Sequence, residues 1–169
     1  MTAGYGVESD QSFPVLLEPL VEVPVVARGR NGDTTILARD RIEQAMADDP
    51  WIVLVELGGN DFLKGVAKER TEKELKGIVT AFQDGGAIVV LLGMDLGLFT
   101  DEYGEIYTRV AEDAGAFLIP SINRGILDKG AYRQEDRIHP NAAGHRKLAE
   151  RLADELKPIL LRANRPPGL

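Results

Sequence analysis

Short apolar runs rich in β-branched residues alternate along this chain with longer segments of helical periodicity. Such nearly continuous apolar runs are typical of strands that are buried on both faces of a parallel sheet. Parallel strands need crossover connections, which helices usually supply. The alternation therefore restricts the fold to a parallel sheet covered by helices. The apolar runs lie at residues 21–27, 52–57, 87–93 and 116–119.

The segments around these runs carry apolar residues three and four positions apart, which predicts helices. The predicted helices cover residues 12–20, 33–47, 71–84, 102–114 and 141–161. Asp33 is expected to cap the second of them, and Thr71 with Glu74 has the spacing of a capping box at the start of the third. The predicted fold class is α/β, a doubly wound, flavodoxin-like parallel sheet with helices on both faces in three α/β/α layers.

Length and composition favour one globular domain. The chain has 169 residues, of which 44% are hydrophobic and 28% charged, so we expect a single domain over residues 1–161 and a frayed tail over residues 162–169. Lys and Arg number 20 against 27 Asp and Glu, and this acidic balance opposes binding to a nucleic-acid backbone. Cysteine is absent, which excludes disulfides, thiolate zinc sites and cysteine nucleophiles. No apolar run reaches the roughly 20 residues of a membrane helix, so no span is predicted.

The first six residues, Met-Thr-Ala-Gly-Tyr-Gly, form a glycine-rich turn of the kind that normally follows a strand. No apolar run precedes this turn in the sequence. A doubly wound sheet usually has its first strand in the middle, where both edges are paired. We therefore expect the natural protein to begin upstream of Met1.

Two glycine-containing loops place polar groups where strands are predicted to end. Gly32 begins Gly-Asp-Thr-Thr, and its N–H is free to face an anion, although helix capping or phosphate binding would use the same residues. Asn60 follows two glycines directly after the run at residues 52–57. Its side-chain amide can point into a crevice at the sheet edge, with an ordinary Gly-Gly-Asn turn as the alternative reading.

Asp136 precedes His139 by three residues, close enough for a turn to bring the carboxylate to the imidazole. A carboxylate there fixes the tautomer of the ring and stabilises the imidazolium that forms when the ring takes a proton. The alternative is a surface histidine between turn and cap residues. With a backbone N–H and an amide as oxyanion donors, this pair supplies most of an acyl-transfer site. The nucleophile is missing from that set, because Ser9, Ser12 and Ser121 lie at positions typical of caps.

These blocks, taken in order, resemble the SGNH hydrolases, also called the GDSL esterase and lipase family. The similarity covers essentially the whole chain and is strongest to the small bacterial esterases, thioesterases and lysophospholipases. In that family a strand leads into Gly-Asp-Ser-Leu and then a Thr or Ser-x-Gly-Tyr turn, which residues 2–5 match. The resemblance implies a serine esterase whose nucleophile directly precedes Met1.

The resemblance also implies roles for the residues singled out above. The N–H of Gly32 and the side-chain amide of Asn60 would form the oxyanion hole, His139 would be the general base, and Asp136 would orient it. By the same resemblance, residues 62–65 are a mobile loop beside the acyl site, and residues 94–103 contact the substrate. The residues expected to bind substrate are Gly59, Phe62, Leu63 and Leu96.

A small ester, thioester or acyl compound is the implied substrate, with no metal or organic cofactor. The sequence leaves the compartment and the oligomeric state open. The absent Gly-Asp-Ser block has two interpretations: a shortened chain, through a late-assigned start or a truncation, or a scaffold that binds acyl or carbohydrate ligands without hydrolysis. The joint presence of Gly32, Asn60, Asp136 and His139 favours the shortened chain.

Overall fold

Among the residues that the structure describes, three parallel strands form a sheet. In the computed structural model, which describes residues 1–94, 101–164 and 166, with the side chains at 101 and 102 excepted, the strand order is β1-β2-β3. Ile52 pairs with Ile88, and Leu92 pairs with Ile119. The strands are β1 (Ile52–Val55), β2 (Ile88–Leu92) and β3 (Phe117–Ile119).

Helices precede, connect and follow the strands. Before β1 lie α1 (Phe13–Val21), α2 (Thr35–Arg39) and α3 (Ile42–Met46). The connections contain α4 (Gly59–Leu63) and α5 (Lys68–Asp84) between β1 and β2, and α6 (Asp101–Ala114) between β2 and β3. The final helix is α7 (Ala142–Arg162), and short 3-10 turns lie at Ser9–Gln11 and Gly130–Tyr132. Within the described part of the chain, no helix is both long enough and apolar enough to cross a membrane.

The chain divides into two units, one made of Met1–Asn31 with Ile122–Leu169 and the other of Gly32–Ser121. In the second unit, α5 packs against β2, α6 and α2, and the side chains of Leu75, Val90 and Ile106 are fully buried. The sheet lies in this unit. The single domain expected over residues 1–161 stays a prediction, and the tail at 162–169 lies partly outside the described residues.

In the other unit, α1 packs along α7. Leu17 of α1 and Leu148 and Leu152 of α7 are buried. The backbone N–H of Phe13 at the start of α1 donates to Nδ1 of His145 at 3.2 Å, and the two rings stack with centroids 6.2 Å apart. His145 is therefore a core residue of the α1–α7 pair.

The strand predicted over residues 21–27 is wrong. Val21 ends α1, Glu22 has a left-handed backbone with φ 55°, and residues 24–30 have no regular structure. A strand forms only where its N–H and C=O groups pair with a neighbouring strand, and Pro24 has no N–H to offer. The N–H of Val25 donates instead to Oε2 of Glu18 at 2.8 Å. Apolar, β-branched composition therefore does not make this segment a strand.

The helix predicted over residues 33–47 is interrupted, and Asp33 does not cap it. Its two parts are α2 and α3. Thr34 caps α2, because its side chain accepts the N–H of Leu37 at 3.4 Å. Asp33 forms an ion pair with Arg41, and this pairing draws its carboxylate away from the helix end.

The capping box predicted for Thr71 and Glu74 is also wrong. The helix α5 begins three residues before Thr71, and both side chains are buried within it. Thr71 Oγ1 lies 3.4 Å from Oδ1 of Asp61. Glu74 pairs with Arg39 at 2.6 Å and with Arg70 at 2.8 Å. Both side chains therefore bind partners elsewhere instead of capping the helix.

Gly144 lies in the first turn of α7, where Asn141 caps the helix by accepting its backbone N–H at 3.0 Å. A Cβ at this position would overlap the carbonyl oxygen of Tyr132 and lie 2.8 Å from Cβ of Pro140. We expect Gly144→Ala to lower the free energy of unfolding by about 1–3 kcal/mol, the usual cost of forcing atoms into a packed site. Urea unfolding followed by circular dichroism measures this change.

Gly104 is the matched control because it is an exposed helical glycine in α6, and no described atom lies within 4 Å of a Cβ built there. Alanine forms helices better than glycine, so Gly104→Ala is expected to raise the free energy of unfolding by about 0.5–1 kcal/mol. Effects of the same sign in the two variants would contradict the packing described for Gly144.

Candidate active site

Asp136 and His139 form a hydrogen-bonded pair in the loop that precedes α7. Nδ1 of His139 lies 2.7 Å from Oδ2 of Asp136. The other carboxylate oxygen, Oδ1, accepts the backbone N–H groups of Ile138 and His139, each at 3.0 Å. Because an ionised carboxylate can only accept, Nδ1 carries a proton, and in the neutral form of the ring Nε2 is the nitrogen with the free lone pair. The turn thus brings the carboxylate to the imidazole, as the spacing of three residues predicts.

A tight chain reversal holds this pair. Arg133 and Pro140 form an antiparallel bridge, and the N–H of Gln134 donates to the carbonyl of His139 at 2.8 Å. Arg137 has a left-handed backbone with φ 65°, a conformation that non-glycine residues seldom adopt. The reversal therefore places a strained backbone between Asp136 and His139. Both side chains remain partly accessible to solvent, with 36% of Asp136 and 28% of His139 exposed.

Gln134 connects this reversal to the N-terminal residues, and the sequence analysis missed it. Its Nε2 donates to the carbonyl of Tyr5 at 2.7 Å and to that of Pro140 at 2.9 Å. The ring of Tyr5 lies 4.6 Å from the ring of His139, centroid to centroid. Gly6 has φ 73°, and a Cβ there would lie 2.7 Å from Cδ of Gln134. The turn that follows Met1 is thereby held against the histidine, by contacts that no sequence spacing indicates.

Hydrogen bonds to Asp136 favour its ionised form. Burial acts to raise the pKa of Asp136, but the hydrogen bonds from the His139 ring and from the backbone N–H groups of Ile138 and His139 outweigh it and hold the pKa below its ordinary value. The carboxylate is therefore charged at neutral pH and able to hold an imidazolium.

Because the pKa of Asp136 is lowered by folding, its ionised form stabilises the folded state above the unfolded-state pKa of about 3.9. This stabilisation disappears as the pH falls through the folded-state pKa. We expect Asp136→Asn to lower the free energy of unfolding at neutral pH. The difference in free energy of unfolding between this variant and the wild type is expected to narrow as the pH falls from about 4 towards 2. Urea unfolding across this range measures the difference.

Glu135→Gln is the control for this titration because Glu135 is an exposed carboxylate in the same loop. The free energy of unfolding of this variant is expected to stay close to that of the wild type, because substitutions at exposed positions usually change it little. A difference in free energy of unfolding between Asp136→Asn and the wild type that does not change with pH would contradict the stabilising role of the ionised carboxylate.

In the other unit, residues 32–35, which lead into α2, lie against residues 58–61 at the start of α4. Nδ2 of Asn60 donates to the carbonyl of Asp33 at 2.9 Å. Because a carbonyl can only accept a hydrogen bond, the side-chain atom of Asn60 that faces it is the amide nitrogen and not the amide oxygen. The second N–H of this nitrogen points away from the Asp33 carbonyl. Gly32 has φ 79°, and Nζ of Lys64 donates to its carbonyl at 2.5 Å. The structure therefore places Gly32 and Asn60 on two neighbouring segments, joined by the bond of Asn60 to Asp33.

Asp61 is a second residue that the sequence analysis missed. Its side chain is completely buried, and its carboxylate accepts the N–H of Thr35 at 2.9 Å. The signal that could have found it is the order Gly-Asn-Asp, which places a carboxylate directly beside the amide of Asn60 in a short helix.

Three of the residues expected to bind substrate lie in α4. A Cβ on Gly59 would lie 3.1 Å from Cε of Met94. Phe62 packs edge-on against Tyr103 with centroids 5.4 Å apart, and Leu63 is 50% exposed. Residues 62 and 63, expected in a mobile loop, are thus helical. Leu96 and most of the predicted contact loop at 94–103 lie outside the described residues, and the substrate-binding role of all four stays a prediction.

Nucleophiles and metal ligands are the other groups that hydrolytic sites use. Ser12 precedes α1, and its hydroxyl donates to the carbonyl of Ser9 at 3.1 Å. Ser121 follows β3 with a left-handed φ of 51°. Among the residues that the structure describes, no group of three or more His, Asp and Glu side chains is arranged to hold a metal ion.

Known proteins share both the sequence pattern and the fold. The model of the GDSL-like lipase/acylhydrolase family matches residues 1–147. The chain is 29% identical to Esterase TesA of Pseudomonas aeruginosa, over 95% of this chain and 85% of that protein. It is 28% identical to thioesterase 1/protease 1/lysophospholipase L1 of Escherichia coli K12, over 95% of this chain and 81% of that protein.

Among solved structures, the crystal structure of TesA matches with a TM-score of 0.86 and 30% sequence identity, covering 94% of each chain. This likeness covers nearly the whole chain. Together with the parallel order of β1, β2 and β3, it confirms the predicted α/β fold class.

Proposed function

The chain belongs to the GDSL-like lipase/acylhydrolase family, and we propose that it hydrolyses carboxylic esters or thioesters through an acyl-enzyme intermediate. The observation that carries this proposal is the 2.7 Å hydrogen bond between Nδ1 of His139 and Oδ2 of Asp136, the two residues that the resemblance assigns as general base and orienting acid. The names of the two relatives, an esterase and a thioesterase/lysophospholipase, support the substrate class.

In the proposed reaction, a serine oxygen attacks the acyl carbonyl carbon and forms the new C–O bond. Nε2 of His139 takes the serine proton and gives it to the alcohol or thiol as the bond to this leaving group breaks. Water then attacks the acyl-enzyme, His139 takes its proton, and the proton returns to serine as the carboxylic acid leaves. Asp136 holds the ring tautomer and stabilises the imidazolium in both steps.

The N–H of Gly32 and the second N–H of Asn60 are proposed as the donors that stabilise the tetrahedral oxyanion. The bond from Asn60 to the carbonyl of Asp33 supports this role, because it holds the amide in place before the reaction. Donors that need no reorganisation contribute most to lowering the barrier. The acyl group is proposed to contact Gly59, Phe62, Leu63 and Leu96, and the mechanism needs no cofactor.

The nucleophile is proposed to be a serine directly before Met1, because residues 2–5 match the turn that follows the family's Gly-Asp-Ser. Intact mass spectrometry of the protein from its natural source, before and after a fluorophosphonate that labels activated serines, tests this assignment. A mass above 18.4 kDa with one adduct is the expected result.

A mass equal to that of these 169 residues, with no adduct and no hydrolysis of p-nitrophenyl butyrate, would overturn the esterase proposal. The alternative, a scaffold that binds acyl or carbohydrate ligands without turnover, would then be favoured. Calorimetry with a short-chain acyl ligand, run beside the hydrolysis assay, separates binding from turnover.

A further inference from the structure

Asp61 places a buried carboxylate beside the turn that contains Gly32. The side chain is 0% exposed and lies in the first turn of α4. Its Oδ2 accepts the N–H of Thr35 at 2.9 Å, and its Oδ1 accepts the hydroxyl of Thr35 at 2.5 Å. Burying a carboxylate is costly unless its oxygens are hydrogen-bonded. Loss of these bonds would leave the charge unsatisfied, so the carboxylate holds Thr35 firmly.

Asp61 also contacts α5 and, through it, α6. Its Oδ1 lies 3.4 Å from the hydroxyl of Thr71 on α5. The hydroxyl of Tyr103 on α6 lies 3.2 Å both from Thr71 Oγ1 and from the carbonyl of Gly58. Burial raises the pKa of Tyr103, so its hydroxyl stays protonated and able to donate. The carboxylate therefore connects the turn at residues 32–35 to the long helices of its unit.

Neighbouring side chains hold the same turn at separate points. Asn60 binds the carbonyl of Asp33, whereas Asp61 binds the N–H and the hydroxyl of Thr35. Hydrogen bonds to an ionised group are roughly twice as strong as neutral ones. An exposed ammonium such as that of Lys64 is screened by water and holds its partner less firmly. Asp61 therefore anchors this turn at Thr35, in addition to the ion pair that Asp33 forms with Arg41.

We infer that Asp61 is a positioning residue for the reaction: it fixes the turn at residues 32–35, so that the N–H of Gly32 and the amide of Asn60 stay aligned for the oxyanion. This inference rests on the proposed function and deepens it. An oxyanion hole accelerates the reaction only when its donors are held in place before the charge develops. A loosened turn therefore lowers kcat much more than it weakens substrate binding.

Asp61→Asn is the first test, in the protein that carries the proposed serine. The variant keeps the size of the side chain but removes its charge and places an NH2 group where the carboxylate accepted. We expect kcat on p-nitrophenyl butyrate to fall about 10-fold to 100-fold while KM stays within about twofold. Asp84→Asn is the matched control, because Asp84 is an exposed carboxylate at the end of α5, and its kinetics are expected to be those of the wild type.

Variants of Thr35 test the same contact from the other side. Thr35→Ser keeps both the N–H and the hydroxyl and is expected to retain kcat, whereas Thr35→Val removes the 2.5 Å hydroxyl bond and is expected to lower it. Circular dichroism identifies variants that do not fold. If Asp61→Asn fails to fold, the comparison of Thr35→Val with Thr35→Ser carries the test. Equal kcat values in folded Asp61→Asn and wild type, or in folded Thr35→Val and Thr35→Ser, would overturn the inference.

A second readout does not depend on turnover. In 15N-correlated NMR spectra of the 169-residue chain, Asp61→Asn is expected to shift the resonances of the Gly32 N–H and the Asn60 side-chain amide, and Asp84→Asn to leave them in place. Unchanged resonances in Asp61→Asn would overturn the inference. A wild-type protein without esterase activity would instead refute the proposed function, and with it the role of Asp61 in the reaction. The resonances of Gly32 and Asn60 would still show whether Asp61 holds the turn.

Discussion

Replacing His139 by alanine, in the protein that carries the proposed serine, is expected to lower kcat/KM for p-nitrophenyl butyrate about 10³-fold or more. The variant loses the group proposed to take the serine proton and to protonate the leaving group. The loss therefore affects acylation and deacylation together. Initial rates at neutral pH, with circular dichroism to verify folding, measure the effect.

Added imidazole separates loss of the base from loss of structure in this variant. The side chain of His139 is 28% exposed, so imidazole from solution can reach the space that alanine leaves. We expect it to restore part of the rate. Glu135→Gln alters a neighbouring exposed carboxylate in the same loop and is expected to retain full activity. A rate within tenfold of the wild type in His139→Ala would contradict the role of His139 as general base.

Replacing Asn60 by alanine is expected to lower kcat about 10²-fold to 10³-fold, with little change in KM. The amide is proposed to donate to the oxyanion, and loss of one such donor raises the barrier by about 3 kcal/mol. Asn60→Asp is the stricter variant, because it keeps the shape but offers only acceptors and faces the carbonyl of Asp33, now 2.9 Å from Nδ2. Both variants are expected to show the loss in kcat.

The control for Asn60 is Asn164→Ala, since Asn164 is an exposed asparagine beyond α7. Its kinetics are expected to match the wild type. Equal kcat values in Asn60→Ala and Asn164→Ala would contradict the proposed oxyanion donor. A loss that appears only in KM would show that Asn60 binds the ester without favouring its transition state.

Local sequence pattern correctly located several of the strands and helices. The runs at 52–57 and 87–93 and the periodic segments at 102–114 and 141–161 correspond to β1, β2, α6 and α7 with small shifts at their ends. Residues 21–27 have the same composition but form no strand, because a strand also depends on a partner that is distant in sequence. Composition indicates that a segment can form a strand, but the segment becomes a strand only if it pairs with another strand of the sheet.

Helix capping was harder to predict, because a side chain suited to a cap can form an ion pair with another side chain instead. Asp33 and Glu74 are suited to helix ends by type and spacing, yet each forms an ion pair instead. The partner of Glu74, Arg39, is 35 residues away. Asn141, by contrast, caps α7 as its place before a helical segment indicates. A helix cap can be predicted where the side chain has no competing charged partner. It cannot be predicted where the folded chain brings an arginine next to the side chain.

The family follows from the sequence alone, and the match over residues 1–147 confirms it. The spacing of three residues also predicts the contact of Asp136 with His139, because one turn can bring the two side chains together. Which side chains hold those groups in place depends on the folding of the whole chain. Gln134 binds the carbonyl of Tyr5 across 129 residues, and Asp61 binds Thr35 across 26. Contacts of this length depend on how the whole chain packs, and no local periodicity or spacing records them.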